Sequence, residues 1–161
     1  MALARRLGPA AGPVLDAACG TGLVGESLAL LGYRLTGCDV SPRMLAAAQR
    51  TGAYASLAQG DLAALPFADG AFAGFIAMGA TGPGHAPPAA LAELARVTRP
   101  GGIGVFSLRE DTFEAQGFRA AIEALAAGRI WREVHRTDAF RAYLLGEPHL
   151  FSRVVTVEVL A

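Results

Sequence analysis

The sequence predicts an α/β protein: a doubly wound, mostly parallel sheet in a three-layer α/β/α sandwich, finished by an antiparallel strand pair. Strand-like and helix-like segments alternate from residue 14 onward, which is the pattern of βαβ units. A glycine-rich turn, Cys19 to Gly22, joins the first strand-like segment to the first helix-like one. Towards the end, Ile130–Ala139 and Phe151–Leu160 are strand-like with no helical period between them, so they predict an antiparallel pair. A chain of 161 residues suits a single domain, residues 1–161.

Each element has a local reason. Val14-Leu15-Asp16-Ala17 is the first strand, and the helix after the turn runs to about Leu31. Its Val24, Leu28 and Leu31 fall on one apolar stripe, and Gly32 stops it. Tyr33 to Val40 is the second strand. Ser41 caps the next helix, and Pro42 takes its first position, where a missing N–H costs nothing. Third and fourth strands are expected at Tyr54–Gln59 and Phe72–Met78. Leu91, Leu94 and Ala95 stripe a helix from Pro88 to Val97. Arg99-Pro100-Gly101-Gly102 is a turn, and the apolar run Ile103–Leu108 suits a strand buried on both faces. Asp111 and Glu114 predict a capping box for the helix carrying Phe118, Ile122 and Leu125.

Composition excludes several classes. With 53% hydrophobic residues and zero formal net charge the chain can build a core, so it is not a disordered segment. Two cysteines cannot staple a domain of this size, and both are expected as free thiols. The 14 arginines are scattered and matched by 14 acids, which leaves no phosphate-binding surplus and argues against a nucleic-acid partner. Arginine without lysine, beside abundant alanine and glycine, marks a GC-rich bacterial genome. Gly70–Ala92 lacks Asp, Glu and Arg, but Gly79, Gly82, Pro83, Gly84, Pro87 and Pro88 interrupt it. Its continuous apolar part is about ten residues, too short for roughly 30 Å of hydrocarbon. Arg5 and Arg6 lead into a Gly/Pro/Ala stretch and not a secretory h-region. A cytoplasmic protein without a membrane partner is expected. The histidines and cysteines lack metal-ligand spacing, so no metal is expected.

The chemistry concentrates in Val14-Leu15-Asp16-Ala17-Ala18-Cys19-Gly20-Thr21-Gly22. Gly20, Gly22 and Gly25 make a literal Gly-x-Gly-x-x-Gly, which raises an NAD(P)-binding oxidoreductase as one reading. Asp16 speaks against it, because an acid before the turn would repel a pyrophosphate. The same carboxylate suits a cation without phosphate, such as a sulfonium cofactor carrying an α-amino group. Asp39, 19 residues past Gly20, ends the second strand, where a carboxylate can accept from both ribose hydroxyls. Its alternative role is that of an acid at a helix N-terminus. Asp61 follows the third strand and is placed for an adenine amino group. Three acids thus fall at the carboxyl ends of three successive strands, beside the crevice of an open α/β sheet.

VLDAACGTG, CDVSPRML, QGDLAALPFADGAF and LAELARVTRPGG together resemble the class I S-adenosylmethionine-dependent methyltransferases, from Val14 to the end of the chain. GHAPP and SLREDTFEAQGF are most similar to the methyltransferase-like group named for the Williams–Beuren region. The resemblance implies a Rossmann-like fold and S-adenosyl-L-methionine as cofactor, with S-adenosyl-L-homocysteine as product. It implies that Asp16 contacts the amino end, and that backbone around Ala18, Gly20 and Gly22 lines the methionine moiety. Asp39 would bind the ribose, with Val40 and Met44 near the adenine. Asp61 and the Leu62 backbone would read the adenine edge, and Ala77 and Met78 would close the pocket. Two positions depart from the family pattern. Ala18 replaces a glycine, which a methyl group tolerates only if φ there is negative, and Phe72-Ala73 replaces Phe-Asp.

The expected reaction is methyl transfer to an O, N or C nucleophile of a small-molecule acceptor. Aligning nucleophile and methyl carbon can contribute up to roughly 7–11 kcal/mol without a catalytic side chain. His85, in the Gly82-Pro83-Gly84-His85 loop after the fourth strand, is the candidate base; a solvent-facing loop histidine is its alternative. Arg109 and Glu110 either meet substrate or pair and cap the next helix. His135 and His149 read as surface or edge residues, and Trp131 as core. A non-enzymatic alternative is an inactive cofactor-binding partner subunit. Thirteen residues precede the first strand, little room for a helical lid, and an uncovered crevice would favour a homo-oligomer.

Overall fold

The computed structural model describes residues 3–81, 84–141 and 149–161. Strands β1 (Val14–Ala17) and β4 (Phe72–Ala77) are buried along their whole length, as strands must be when both faces of a sheet are covered. They are the centre of an eight-stranded sheet whose other members are β2 (Leu35–Asp39), β3 (Ser56–Gln59), β5 (Thr98–Arg109), β6 (Trp131–Arg136), β7 (Phe140–Arg141) and β8 (Phe151–Val159). The order is β3-β2-β1-β4-β5-β8-β6, with β7 beside β8. All pairings from β3 to β5 are parallel, and those of β8 with β5, β6 and β7 are antiparallel. The doubly wound sheet and its antiparallel end are as the sequence predicts. The strand order reverses between β1 and β4, and ligands of open α/β sheets bind in the crevice at such a reversal.

Alternation along the strands divides the core in two. Leu15, Ala17, Phe75, Phe106 and Val155 join Leu91, Leu94, Phe118 and Ile122 in one cluster, under α3 (Ala90–Arg96) and α5 (Phe118–Ala127). Trp131 belongs here, stacked on Phe106 at 5.8 Å between ring centroids. Val14, Leu35, Ala73, Ile76 and Val105 join Leu28 of α1 (Leu23–Leu30) in the other. Leu3 and Leu7 are buried in this second cluster, and Tyr33 donates its hydroxyl to the Leu7 carbonyl. The leading residues therefore act as a wall of the core. Arg6 carries this segment across to the Val134 carbonyl of β6, at 3.3 Å.

Several boundaries shift for identifiable reasons. In α1 the buried positions are Gly25 and Leu28, while Leu31 lies past the helix end and is exposed. In α2 (Pro42–Arg50) the Ser41 hydroxyl accepts the Met44 N–H at 3.4 Å, as expected of its cap. The capping box at Asp111 and Glu114 does not form. Gly117, at φ 82°, separates a short α4 (Glu110–Ala115) from α5, and Asp111 is taken by Arg109 at 2.6 Å. Glu110 pairs with Arg153, and Arg109 with Asp111. The turn at Arg99–Gly102 lies inside β5 as an irregularity: register jumps from Phe72–Thr98 to Gly74–Ile103. Ala73, where the family pattern carries an acid, is completely buried in apolar surroundings that suit a methyl group.

One polar network positions the stretch after β3. Arg96 of α3 donates to the carbonyls of Leu65 at 3.1 Å and Phe67 at 2.9 Å. It also pairs with Asp69 at 2.6 Å and with Glu93 at 2.7 Å, and Glu93 accepts the Leu65 N–H at 2.8 Å. These bonds fasten the chain downstream of Asp61 to a helix instead of leaving it as a free loop.

Candidate cofactor crevice

The β1–α1 turn folds by alternating left-handed residues: Ala18 at φ 56°, Gly20 at 54° and Gly22 at 94°. A positive φ at Ala18 overturns the expectation that its methyl group requires a negative one. The Cys19 N–H is held by the Cys38 carbonyl at 3.0 Å, which fixes the turn against β2 and imposes the conformation. An L-residue there costs about 1 kcal/mol. Ala18→Gly is expected to raise stability by about 1 kcal/mol, measured as a rise of a few degrees in Tm. A lower Tm would show that the strain is absent.

Asp39 ties the turn to the next strand. Its Oδ2 accepts the Gly20 N–H and its Oδ1 the Ser41 N–H, both at 2.9 Å. Asp61 folds an Asx turn, its Oδ1 accepting the Ala63 N–H at 2.8 Å, and leaves Leu62 buried. Asp16 is aligned with Gly37 in the register, two residues before Asp39, and so lies deeper in the sheet. It is 2% exposed. Burial pushes its carboxyl up to about 6; a hydrogen bond from Tyr54 lowers it in part, and Asp39 raises it further. Burial also pushes Cys19 up to about 12 and Cys38 to about 11, so both remain protonated thiols.

A cavity of about 290 Å³ opens at the ends of β1, β2 and β3. Ala18, Asp39, Val40, Asp61, Leu62 and His85 line it, together with Gly60, Ala80, Gly84, Ala86 and Pro87. Asp16, Gly20, Gly22, Met44, Ala77 and Met78 do not. Gly20 is bonded to the lining residue Asp39, and Asp16 to Tyr54. Met44 is exposed, and Ala77 is buried in the core. Ala80 and Pro87 supply the wall expected of Ala77 and Met78. Gly82 and Pro83, in the loop that carries His85, lie outside the described residues. His135 and His149 are exposed and are not among the lining residues.

Sequence reading missed Tyr54, whose hydroxyl donates to Asp16 Oδ2 at 2.7 Å. The signal was in the glycines. A Cβ on Gly37 would lie 2.9 Å from the Tyr54 ring, and one on Gly25 would overlap it outright. The third glycine of the Gly-x-Gly-x-x-Gly makes room for a tyrosine, a packing requirement and not a ligand contact.

Residues 14–102 match the family model of a methyltransferase domain. Methyltransferase-like protein 27 of Homo sapiens is 40% identical over 114 residues, 69% of this chain and 46% of that protein. Malonyl-[acyl-carrier protein] O-methyltransferase of Erwinia pyrifoliae is 42% identical over 94 residues, 58% of this chain and 36% of that enzyme. The chain thus spans less than half the length of these relatives. The crystal structure of an S-adenosylmethionine-dependent methyltransferase from Mesorhizobium loti superimposes with a TM-score of 0.73. It covers 98% of this chain and 95% of its own at 16% identity, a likeness of fold alone. Matched by the methyltransferase-domain model over more than half its length, the chain belongs to the class I S-adenosylmethionine-dependent methyltransferases.

Proposed function

We propose that this chain binds S-adenosylmethionine in the crevice at the ends of β1, β2 and β3 and transfers its methyl group to a small-molecule acceptor. One observation carries the reading: Asp16, Asp39 and Asp61 converge on one rim of three adjacent parallel strands, and two of them line the cavity. The residues fit the cofactor. A Cβ on Gly20 would meet nothing within 4 Å, so the turn presents bare backbone to a ligand. Asp39, although it already accepts two backbone N–H groups, retains lone pairs for a ribose diol. A rim of carboxylates suits a cationic ligand and disfavours a dinucleotide pyrophosphate.

When bound, the cofactor supplies an activated methyl group on a sulfonium that leaves as a neutral thioether. The chain's own share is placement. Asp16 attracts the ammonium, Asp39 fixes the ribose, and Asp61 with the Leu62 backbone orients the adenine. Leu62 and Ala80 line the same cavity as apolar wall. His85 is also in that lining, which supports its assignment as the base that takes a proton from an oxygen or nitrogen nucleophile. The O-methyltransferase among the relatives supports an oxygen nucleophile.

Thermal shift decides between cofactors. S-adenosylhomocysteine is expected to raise Tm and NADH to leave it unchanged; the reverse would overturn the reading. Label transfer from methyl-labelled S-adenosylmethionine to a panel of hydroxy acids, phenols and amines would identify an acceptor. With that acceptor, His85→Ala is expected to retain cofactor binding and lose on the order of 100-fold in kcat. Unchanged turnover would remove His85 from the chemistry.

A further inference from the structure

Tyr54 lies between the glycines of two neighbouring elements, against Gly22 and Gly25 on one side and Gly37 of β2 on the other. Its hydroxyl reaches through this slot to Asp16, and among the described residues it is that carboxylate's one hydrogen-bond partner. A bulkier residue at Gly25 or Gly37 would close the slot. At Gly25 the three atoms nearest an added Cβ all belong to Tyr54, so that glycine serves this contact.

We propose that Tyr54 is a positioning residue for the cofactor: it holds Oδ2 of Asp16 and so presents the rest of the carboxylate to the ammonium of S-adenosylmethionine. This rests on the cofactor reading above. The groups that face Asp16 are few. Asp39 at the end of β2 is a like charge, and Cys19 in the turn is a neutral thiol. Gly37 of β2 and Ile76 of β4 flank it in the sheet and do not titrate. Tyr54 is therefore the group that opposes burial and favours the ionised carboxylate, by donating a charge-assisted hydrogen bond.

The test compares wild type with Tyr54→Phe, which keeps the ring in its slot and deletes one oxygen. S-adenosylhomocysteine binding is measured by calorimetry from pH 5 to 8. In the wild type, affinity is expected to rise through pH 6 and level off. In Tyr54→Phe the acid limb should move up by about one pH unit, with about tenfold weaker binding at pH 5 and about twofold at pH 7. The Asp16 carboxyl midpoint, followed by carbon NMR without ligand, should move up by the same amount. Gly25→Ala crowds the slot from the other side and should produce the same shift with Tyr54 intact. Superimposable profiles for wild type and folded Tyr54→Phe would overturn the proposal and leave the cofactor reading standing. A wild type that binds no S-adenosylhomocysteine at any pH would overturn the cofactor reading itself, and this proposal with it.

Discussion

Asp39→Ala is expected to weaken S-adenosylhomocysteine binding by about 100-fold at neutral pH, the loss of one charge-assisted pair of hydrogen bonds. Two effects act together. The ribose loses its acceptor, and the Gly20 and Ser41 N–H groups lose theirs. Without the Gly20 bond, the left-handed turn at Ala18, Gly20 and Gly22 is tied to β2 chiefly through the Cys19 N–H, so its geometry relaxes as well. Asp39→Asn separates the two effects. Its amide oxygen still accepts one N–H while its NH2 repels the other, so binding should fall between wild type and alanine. Calorimetry on variants shown to be folded by circular dichroism checks this. A loss smaller than threefold for alanine would mean that Asp39 serves the turn and not the ligand.

Asp16→Asn is expected to make the unliganded protein more stable and the cofactor bind less well. In the unfolded chain this carboxyl titrates near its ordinary value of 3.8; in the folded protein burial raises it to about 6. Its contribution to stability is therefore complete below about pH 3.8 and lost as pH rises through about 6. At pH 7 the folded protein carries a buried charge that costs at most roughly 3 kcal/mol. Asparagine removes that cost and still accepts from Tyr54. Tm without ligand should rise by roughly 5–10 °C at pH 7 and by little at pH 4. S-adenosylhomocysteine affinity should fall by about 100-fold at pH 7 and lose its dependence on pH between 5 and 7. An unchanged Tm with unchanged binding would show that the carboxyl is neither strained nor used. The expected pairing of gained stability with lost binding is the trade-off of a site held in a costly state for its ligand.

Legibility in the sequence followed the range of the interactions. β1, the Ser41 cap and the α3 stripe depend on neighbouring residues, and all three lie where patterning puts them. The acids at the strand ends are legible for the same reason, since a parallel sheet brings successive carboxyl ends to one rim. What escaped depends on contacts between distant segments. The conformation of Ala18 is imposed by Cys38 of the next strand, not by its own preference. Asp111 abandons its cap because Arg109 offers a closer partner. Tyr54 meets Asp16 across 38 residues, through a slot whose glycines sit in two other elements. The lining at Ala80 and Pro87 comes from the irregular segment after β4, where no period guides the eye.

The position of β8 bears on how the chain folds during synthesis. β8 follows every other strand in sequence, yet it inserts between β5 and β6. Until residues 151–159 emerge from the ribosome, β5 presents an open apolar edge, and β6 has no neighbour among the described strands to pair with. An unpaired edge of this kind recruits other chains. A chain that has β1 to β4 but not yet β8 thus has crevice strands that can assemble while the far side of the sheet is still adhesive. Arrival of β8 closes that stage in one step, burying Val155 and Val157 beside Trp131. Solubility in a cell should accordingly depend on the last strand far more than on the cofactor-binding residues at the opposite side of the sheet.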